Sequence, residues 1–368
     1  MKKKLWLISK HGNDVGDNAF ALFKYVREKH PEIRSVYVAD KEQYKAYKTA
    51  KEVGPIVQYR SFMHKILYFL ADKIVTSHVG DSEPWEYENI LELRRRFPGW
   101  SVRQKTIHLQ HGVIDKNVAH IYDISKRPVD LFICSTLAEK DYIMETLHYP
   151  SERLACTGLA RFDALMDAKC EKKILVIPRY RRDVMVQLRE NKQKLKYHFM
   201  KSRYYKNYQT LISNQTLVRK LEESGWQLIF YPHYEVQPLI SCFHAESKNV
   251  TVADMEREEL DQLLKECALL ITDYSSVAFD FAYMRRPVIY YQFDKEEFDC
   301  EYGGSYFDHE RDGFGPVVER EDDVVRCIES FIDGRFDRDH QYYDRCVNTF
   351  LYHDDQNCKR IFEAIEEV

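Results

Sequence analysis

A chain of 368 residues exceeds what one hydrophobic core ordinarily serves and predicts two domains. Charged residues at 31% and hydrophobic ones at 44% are the balance of a soluble globular protein, and a formal net charge of −4 excludes a surface built wholly for nucleic acid while leaving room for a local basic face. Nine cysteines without a C-x-x-C pair suggest neither a disulfide framework nor a zinc cluster, so reduced cytosol is the expected compartment.

The start, "MKKKLWLISKHG", has a basic head, but "LWLIS" is too short for the apolar core of a signal peptide. No apolar run approaches the roughly 18 residues of a membrane span. Short apolar runs predict strands at 4–9, 35–39, 73–77, 105–110 and 131–135, then at 173–178, 227–232, 249–253, 269–272 and 287–291. Amphipathic stretches between them predict helices at 18–29, 138–148, 209–224, 257–266 and 277–284, and "RCIESFI" and "DQNCKRIFEAIEEV" near the end have helical spacing. Alternating strands and helices specify an α/β fold with parallel sheets, here two similar Rossmann-like halves facing a cleft. The boundary is expected within "LARFDALMDAKCEK", which divides the chain into domains 1–165 and 166–368, with the terminal helices in the second.

Ligands of open α/β sheets gather at the carboxyl ends of strands, where loops and helix N-termini converge. After "LLIT", the polar run Asp273, Tyr274, Ser275, Ser276 precedes "VAFDFAYM". Backbone N–H groups and hydroxyls there could seat phosphate oxygens, or simply cap the helix. Asp280, two helical turns after Asp273, could reach a ribose hydroxyl or be a solvated helix residue. "LQHGV" puts His111 just beyond a buried strand, with Gly112 removing side-chain bulk; a histidine there can act as a general base or be tied into a neighbouring loop. "FYPHYEVQP" repeats the arrangement with His233, and "IPRYRR" sets Arg179, Arg181 and Arg182 after another strand, where guanidinium groups would balance a diphosphate. "KHGNDVGDN" has two glycines at a strand end that could bring backbone close to a ligand.

From Lys172 to Lys206 there are twelve Lys and Arg against two Asp and Glu, interleaved with Tyr180, Tyr197, Phe199, Tyr204 and Tyr205. That mixture suits single-stranded nucleic acid, anionic lipid or a phosphate-rich polymer. "RSFMHKILYFLADK" (60–73), read as a core helix, and "LRRRFPGW" (93–100) form a second basic and aromatic region. The chain carries no G-x-S-x-G, P-loop, H-E-x-x-H or G-x-G-x-x-G.

Taken together, "LQHG", "TGLARFDAL", "IPRYRR", "YPHYE", "TDYSSVAFDFAYMRRPVIYYQFDKEEF" and "GSYFDHERDGFGPVV" resemble the CDP-glycerol glycerophosphotransferase family, which builds teichoic acids and related bacterial surface polymers. The resemblance runs from about residue 70 to 350. It implies a GT-B-like pair of domains, with an acceptor-side first domain and the donor nucleotide held mainly by the second. It also implies His111 as the base, with His233 near the transferred phosphate. Thr272, Asp273, Ser275 and Ser276 would hold the donor diphosphate and nucleotide, with Arg179, Arg181 and Asp280 beside them. Gln110 stands where members often carry Trp, and "VIDK" where they carry a "TPLK"-like run, so Lys116 is the nearest counterpart on the acceptor side, with Gly112. Gly303 replaces an Arg frequent before the glycine at 304.

The expected reaction moves glycerol phosphate, or ribitol phosphate, from a CDP-activated donor to a hydroxyl of a lipid-linked or polymeric acceptor. The acceptor hydroxyl gives its proton to His111 and attacks the β-phosphorus, and CMP leaves. Neither a cofactor nor a metal is expected, and the basic and aromatic regions imply a peripheral protein on the anionic inner face of the cell membrane. A GT-B sugar transferase is the nearest rival reading, and a nucleic-acid-binding protein using residues 172–206 a more distant one.

Overall fold

A computed structural model describes residues 4–11, 15–78, 83–85, 103–166, 169–181, 192–336 and 340–368. The chain divides into two compact units, Met1–Met166 with Thr349–Val368, and Asp167–Asn348. In the first, seven strands run in the order β3-β2-β1-β4-β5-β6-β7. They are β1 Leu5–Ser9, β2 Arg34–Ala39, β3 Ile56–Gln58, β4 Lys73–Thr76, β5 Lys105–His108, β6 Leu131–Cys134 and β7 Leu154–Cys156. In the second, six strands run β10-β9-β8-β11-β12-β13. These are β8 Glu171–Ile177, β9 Gln227–Phe230, β10 Val250–Val252, β11 Cys267–Thr272, β12 Val288–Tyr291 and β13 Val317–Val318.

Every neighbouring pair is parallel. Helices cover such sheets, so central strands are apolar without alternation; all five residues of β1 and all four of β12 are buried. In each unit the first strand has later strands on one side and earlier-paired ones on the other, which puts switch points between β1 and β4 and between β8 and β11. The GT-B-like class of two Rossmann-like sheets is the architecture found.

All ten expected strands form, and among the described residues three more join them: β3, β7 and β13. Each of these is an edge of two or three residues; β10, an edge of three residues too, was legible because it lies in the apolar run 249–253. The expected helix 209–224 is two helices, Arg203–Ile212 and Gln215–Ser224. Asn214 begins the second by accepting the N–H of Leu217 at 3.0 Å.

The units meet at 166/167, one residue from the expected division, but the last helix departs from the expectation that the terminal helices belong to the second domain. The helix Asn357–Glu367 lies on the first unit, where Cys358, Ile361 and Ile365 join the core of Trp6, Ile8 and Phe23. Its socket is "TGLARFDAL". Asp163 accepts the N–H of Asn357 at 2.8 Å and of Cys358 at 2.9 Å, serving as a cap from 194 and 195 residues away. Arg360 donates to the carbonyl of Thr157 at 3.1 Å. Gly158 holds φ +83°, and a Cβ there would stand 2.0 Å from Asn357 Oδ1, so the helix can approach only a glycine.

Candidate active site

In the first unit, His111 follows β5 by three residues and is held by its neighbours' backbone and side chains. Gln110 takes a left-handed φ of 61°, an uncommon conformation outside glycine. Three contacts hold it: its carbonyl accepts from Asn18 Nδ2 at 2.8 Å, and its own amide donates to the Ile133 carbonyl at 2.6 Å and to Glu139 Oε1 at 3.1 Å. Glu139 also accepts the N–H groups of Ile114 and Ser135, each at 2.6 Å. Burial, working against these hydrogen bonds, pushes the Glu139 carboxyl up to about 7. Arg161 donates to the His111 carbonyl at 2.7 Å while paired with Asp17 at 3.0 Å.

The His111 side chain is exposed to solvent. Surrounding protein, followed by the charges of Lys116 and Arg161, pushes its pKa down to about 3. The direction of that shift favours a neutral imidazole at neutral pH. Gly112 is buried in the turn, and Lys116 is paired with Asp115 at 3.1 Å. Two further histidines share this edge: His11 follows β1 and His78 follows β4, with ring centroids 3.5 Å apart, and His78 stacks on His111 at 4.6 Å.

In the second unit, three neighbouring strand ends carry the polar residues. Arg179 follows β8, and its guanidinium lies over the rings of Phe298 at 5.5 Å and Tyr180 at 5.9 Å. His233 follows β9; its ring lies 4.7 Å from that of Tyr180, and its Nδ1 accepts the N–H of Glu235 at 3.3 Å, which directs the proton of a neutral ring to Nε2. Ser275 and Ser276 follow β11 and are partly exposed. Arg179 and the serines thus stand on the two strands that flank the switch point.

The remaining expected donor residues turn inward. Thr272 is buried and donates to the Ile177 carbonyl at 2.7 Å, stapling β11 to β8. Asp273, fully buried, accepts the N–H of Arg179 at 2.9 Å and of Tyr274 at 2.6 Å. Buried Arg181 donates to Asp294 at 2.6 and 3.0 Å and pairs with Asp273 at 2.9 Å. Burial works against the Arg181 charge, but Asp273 and Asp294 outweigh it and hold the guanidinium protonated, well above its ordinary range. Asp280 is buried within the helix Val277–Tyr283, whose residues from 278 to 283 are all covered. Thr272, Asp273 and Arg181 shape the turn, and the surface is left to Arg179, Ser275 and Ser276. Arg182 and "LRRRFPGW" lie outside the described residues.

A family model described as CDP-Glycerol:Poly(glycerophosphate) glycerophosphotransferase matches residues 1–367. The chain belongs to this family. It is similar to the minor teichoic acid biosynthesis protein GgaB of Bacillus subtilis (strain 168), with 29% identity over 100% of this chain and 40% of the relative. It is also similar to the teichoic acid poly(glycerol phosphate) polymerase of the same organism, with 24% identity over 89% of this chain and 44% of the relative. The chain therefore spans less than half the length of these two curated relatives. Among solved structures, the wall teichoic acid polymerase TagF superposes with a TM-score of 0.73 at 18% identity, over 99% of this chain and 88% of that one, a likeness of fold.

In this glycerophosphotransferase family member, four supports of the site escaped the sequence reading: His11, His78, Asn18 and Glu139. The histidines were open to discovery. Each stands just past an expected strand, as His111 does; the register that pairs Ser9, Thr76 and His108 across β1, β4 and β5, a tertiary feature, then puts their rings in one row. Asn18 and Glu139 carry no local signal, because each acts on a backbone group distant in sequence, Asn18 on Gln110 and Glu139 on Ile114.

Proposed function

We propose that this protein transfers glycerol phosphate, or a related polyol phosphate, from a CDP-activated donor to a hydroxyl of a teichoic-acid-type polymer or its lipid-linked precursor, releasing CMP. The observation that carries the reading is His111, an exposed imidazole held at the carboxyl edge of the sheet, in a chain matched over residues 1–367 by the glycerophosphotransferase family. His111 takes the acceptor's hydroxyl proton as that oxygen bonds to the β-phosphorus and the bond to CMP breaks. Ser275, Ser276 and Arg179 hold the donor diphosphate, with His233 beside Arg179 offsetting charge that moves to the leaving phosphate. Thr272, Asp273 and Arg181 keep that turn in shape, and Asp280 is buried in the helix that follows it. Gly112 and Lys116 face the acceptor. We read the transfer as metal-independent, so that EDTA leaves the rate unchanged.

Incubation of the protein with CDP-glycerol and with CDP-ribitol, each with a short poly(glycerol phosphate) acceptor, tests the reading. CMP release with chain extension supports it; a glycosyl transfer from a nucleotide sugar in its place overturns it.

The membrane part of the reading rests on the helix Phe62–Leu70. Expected as a core helix, it buries Leu67 and Tyr68 but leaves Phe62 77%, Met63 54% and Leu70 57% exposed, next to Arg60 and Lys65. Apolar side chains rimmed by basic ones suit a peripheral contact with an anionic bilayer at the inner membrane face. No helix among the described residues is long and apolar enough to cross a membrane. The nucleic-acid reading has less support, because Phe199, Tyr204 and Tyr205 of the basic segment are buried in the core of their unit and cannot stack on bases.

A further inference from the structure

His78 is the middle member of a row of three rings, since β4 lies between β1 and β5. Its plane is tilted 21° from His11 on β1's loop and 21° from His111 on β5's. Two of these loops, those of His11 and His78, flank the switch point of the sheet. The His78 backbone is tied down locally: its N–H donates to Thr76 Oγ1 at 3.1 Å, and the Thr76 hydroxyl donates back to the His78 carbonyl at 3.0 Å. The ring is less constrained: its Nδ1 is buried without a hydrogen-bond partner among the described residues. Burial, followed by the charges of His111 and His11, keeps this imidazole neutral far below the ordinary histidine range.

We propose that His78 is a positioning residue for His111, a neutral aromatic plate that fixes the orientation of the His111 ring and offers its π-face to the imidazolium formed when His111 accepts a proton. The inference rests on the reading of His111 as the base. Three consequences follow from the geometry. A stacked neighbour removes ring rotations that point the base away from its substrate, which bears on the chemical step and not on donor affinity. A neutral face attracts the cation formed in the transition state. A ring that stays neutral does not compete for the proton, which remains on His111 beside the substrate.

The test compares His78→Ala, His78→Phe and His111→Ala by steady-state CMP release from CDP-glycerol, with calorimetry of donor binding and thermal melting of each protein. His78→Ala is expected to lower kcat roughly 10–100-fold with KM and donor binding little changed, and His78→Phe, which keeps the plate without its nitrogens, to restore kcat to within about threefold of the parent. A His78→Ala protein with the parent's kcat overturns the proposal. So does a folded His78→Phe as impaired as His78→Ala, which points instead to a proton relay through the ring nitrogens. If His78→Ala fails to fold, the Phe variant decides alone. The two levels separate cleanly: an active His111→Ala removes the base assignment itself, whereas an inactive His111→Ala beside an unimpaired His78→Ala removes only the role of the plate.

Discussion

Glu139 holds the N–H of Ile114 at 2.6 Å, and by that bond a wholly buried carboxylate anchors the loop that presents His111. The same carboxylate reaches Gln110 and Ser135, so it ties together residues just beyond β5 and β6. Ile114 and Ser135 donate to different oxygens of Glu139, so a glutamine there sets an NH2 donor against one of these two backbone amides. Glu139→Gln is expected to cost about 1–3 kcal/mol in urea denaturation at pH 7 and to lower CMP release more than donor binding. The pH dependence has a definite sign. The folded carboxyl, raised to about 7 from 4.5, favours the protonated form, so its stabilising share is full below pH 4.5 and is lost as pH rises to 7. The stability gap between parent and Gln variant should therefore narrow between pH 4.5 and 7; a gap that widens contradicts a raised carboxyl.

His111→Ala should reduce CMP release by roughly 10²–10⁴-fold, the usual weight of a general base, while calorimetry shows the donor still bound. Loss of donor binding in step with activity would place the residue in substrate binding instead.

On the proposed reading His111 acts as its neutral form, so activity falls as pH drops through its pKa, and the acid limb of kcat/KM should lie below the 6.5 of an unperturbed histidine. Lys116 is among the charges that depress it. Lys116→Met removes a cation and leaves Asp115 unneutralised, and both changes favour imidazolium, so the limb should move to higher pH. A limb that stays in place would show that Lys116 does not act on this ring.

Arg181→Ala leaves Asp273 and Asp294 buried without their shared cation. A loss of roughly 3–5 kcal/mol is expected, readable as a lower urea midpoint, with donor binding weakened because Asp273 also holds the Arg179 backbone. A variant of full stability that has lost only donor affinity would instead make Arg181 a direct ligand.

Asp163→Ala removes the cap from Asn357 and Cys358 and should cost about 1–2 kcal/mol. Hydrogen exchange should speed up at the amides of 357 and 358 and along the terminal helix, and leave the sheet of the second unit unchanged.

Replacing the exposed apolar residues Phe62 and Met63 with serine should lower flotation with vesicles containing anionic lipid, without altering CMP release from a soluble acceptor. Equal flotation of parent and variant would move the membrane contact elsewhere on the protein.

Much of this protein could be read along the chain. Ten of the strands announce themselves, most of them because a strand covered on both faces is a run of apolar residues, and such runs are local. Strand ends followed by His111, Arg179, His233, Ser275 and Ser276 are local too, as are the strings that mark the family. Tertiary structure alone decided which of those polar groups face outward: Asp273 and Ser275 are two residues apart, yet one is spent on Arg181 and the backbone of 179 while the other stays at the surface. It alone brought the last helix to Asp163 and set His11 and His78 in one row with His111. Parallel sheets lay strand ends side by side that are dozens of residues apart along the chain, so the groups that meet there share an edge of the fold and no stretch of sequence.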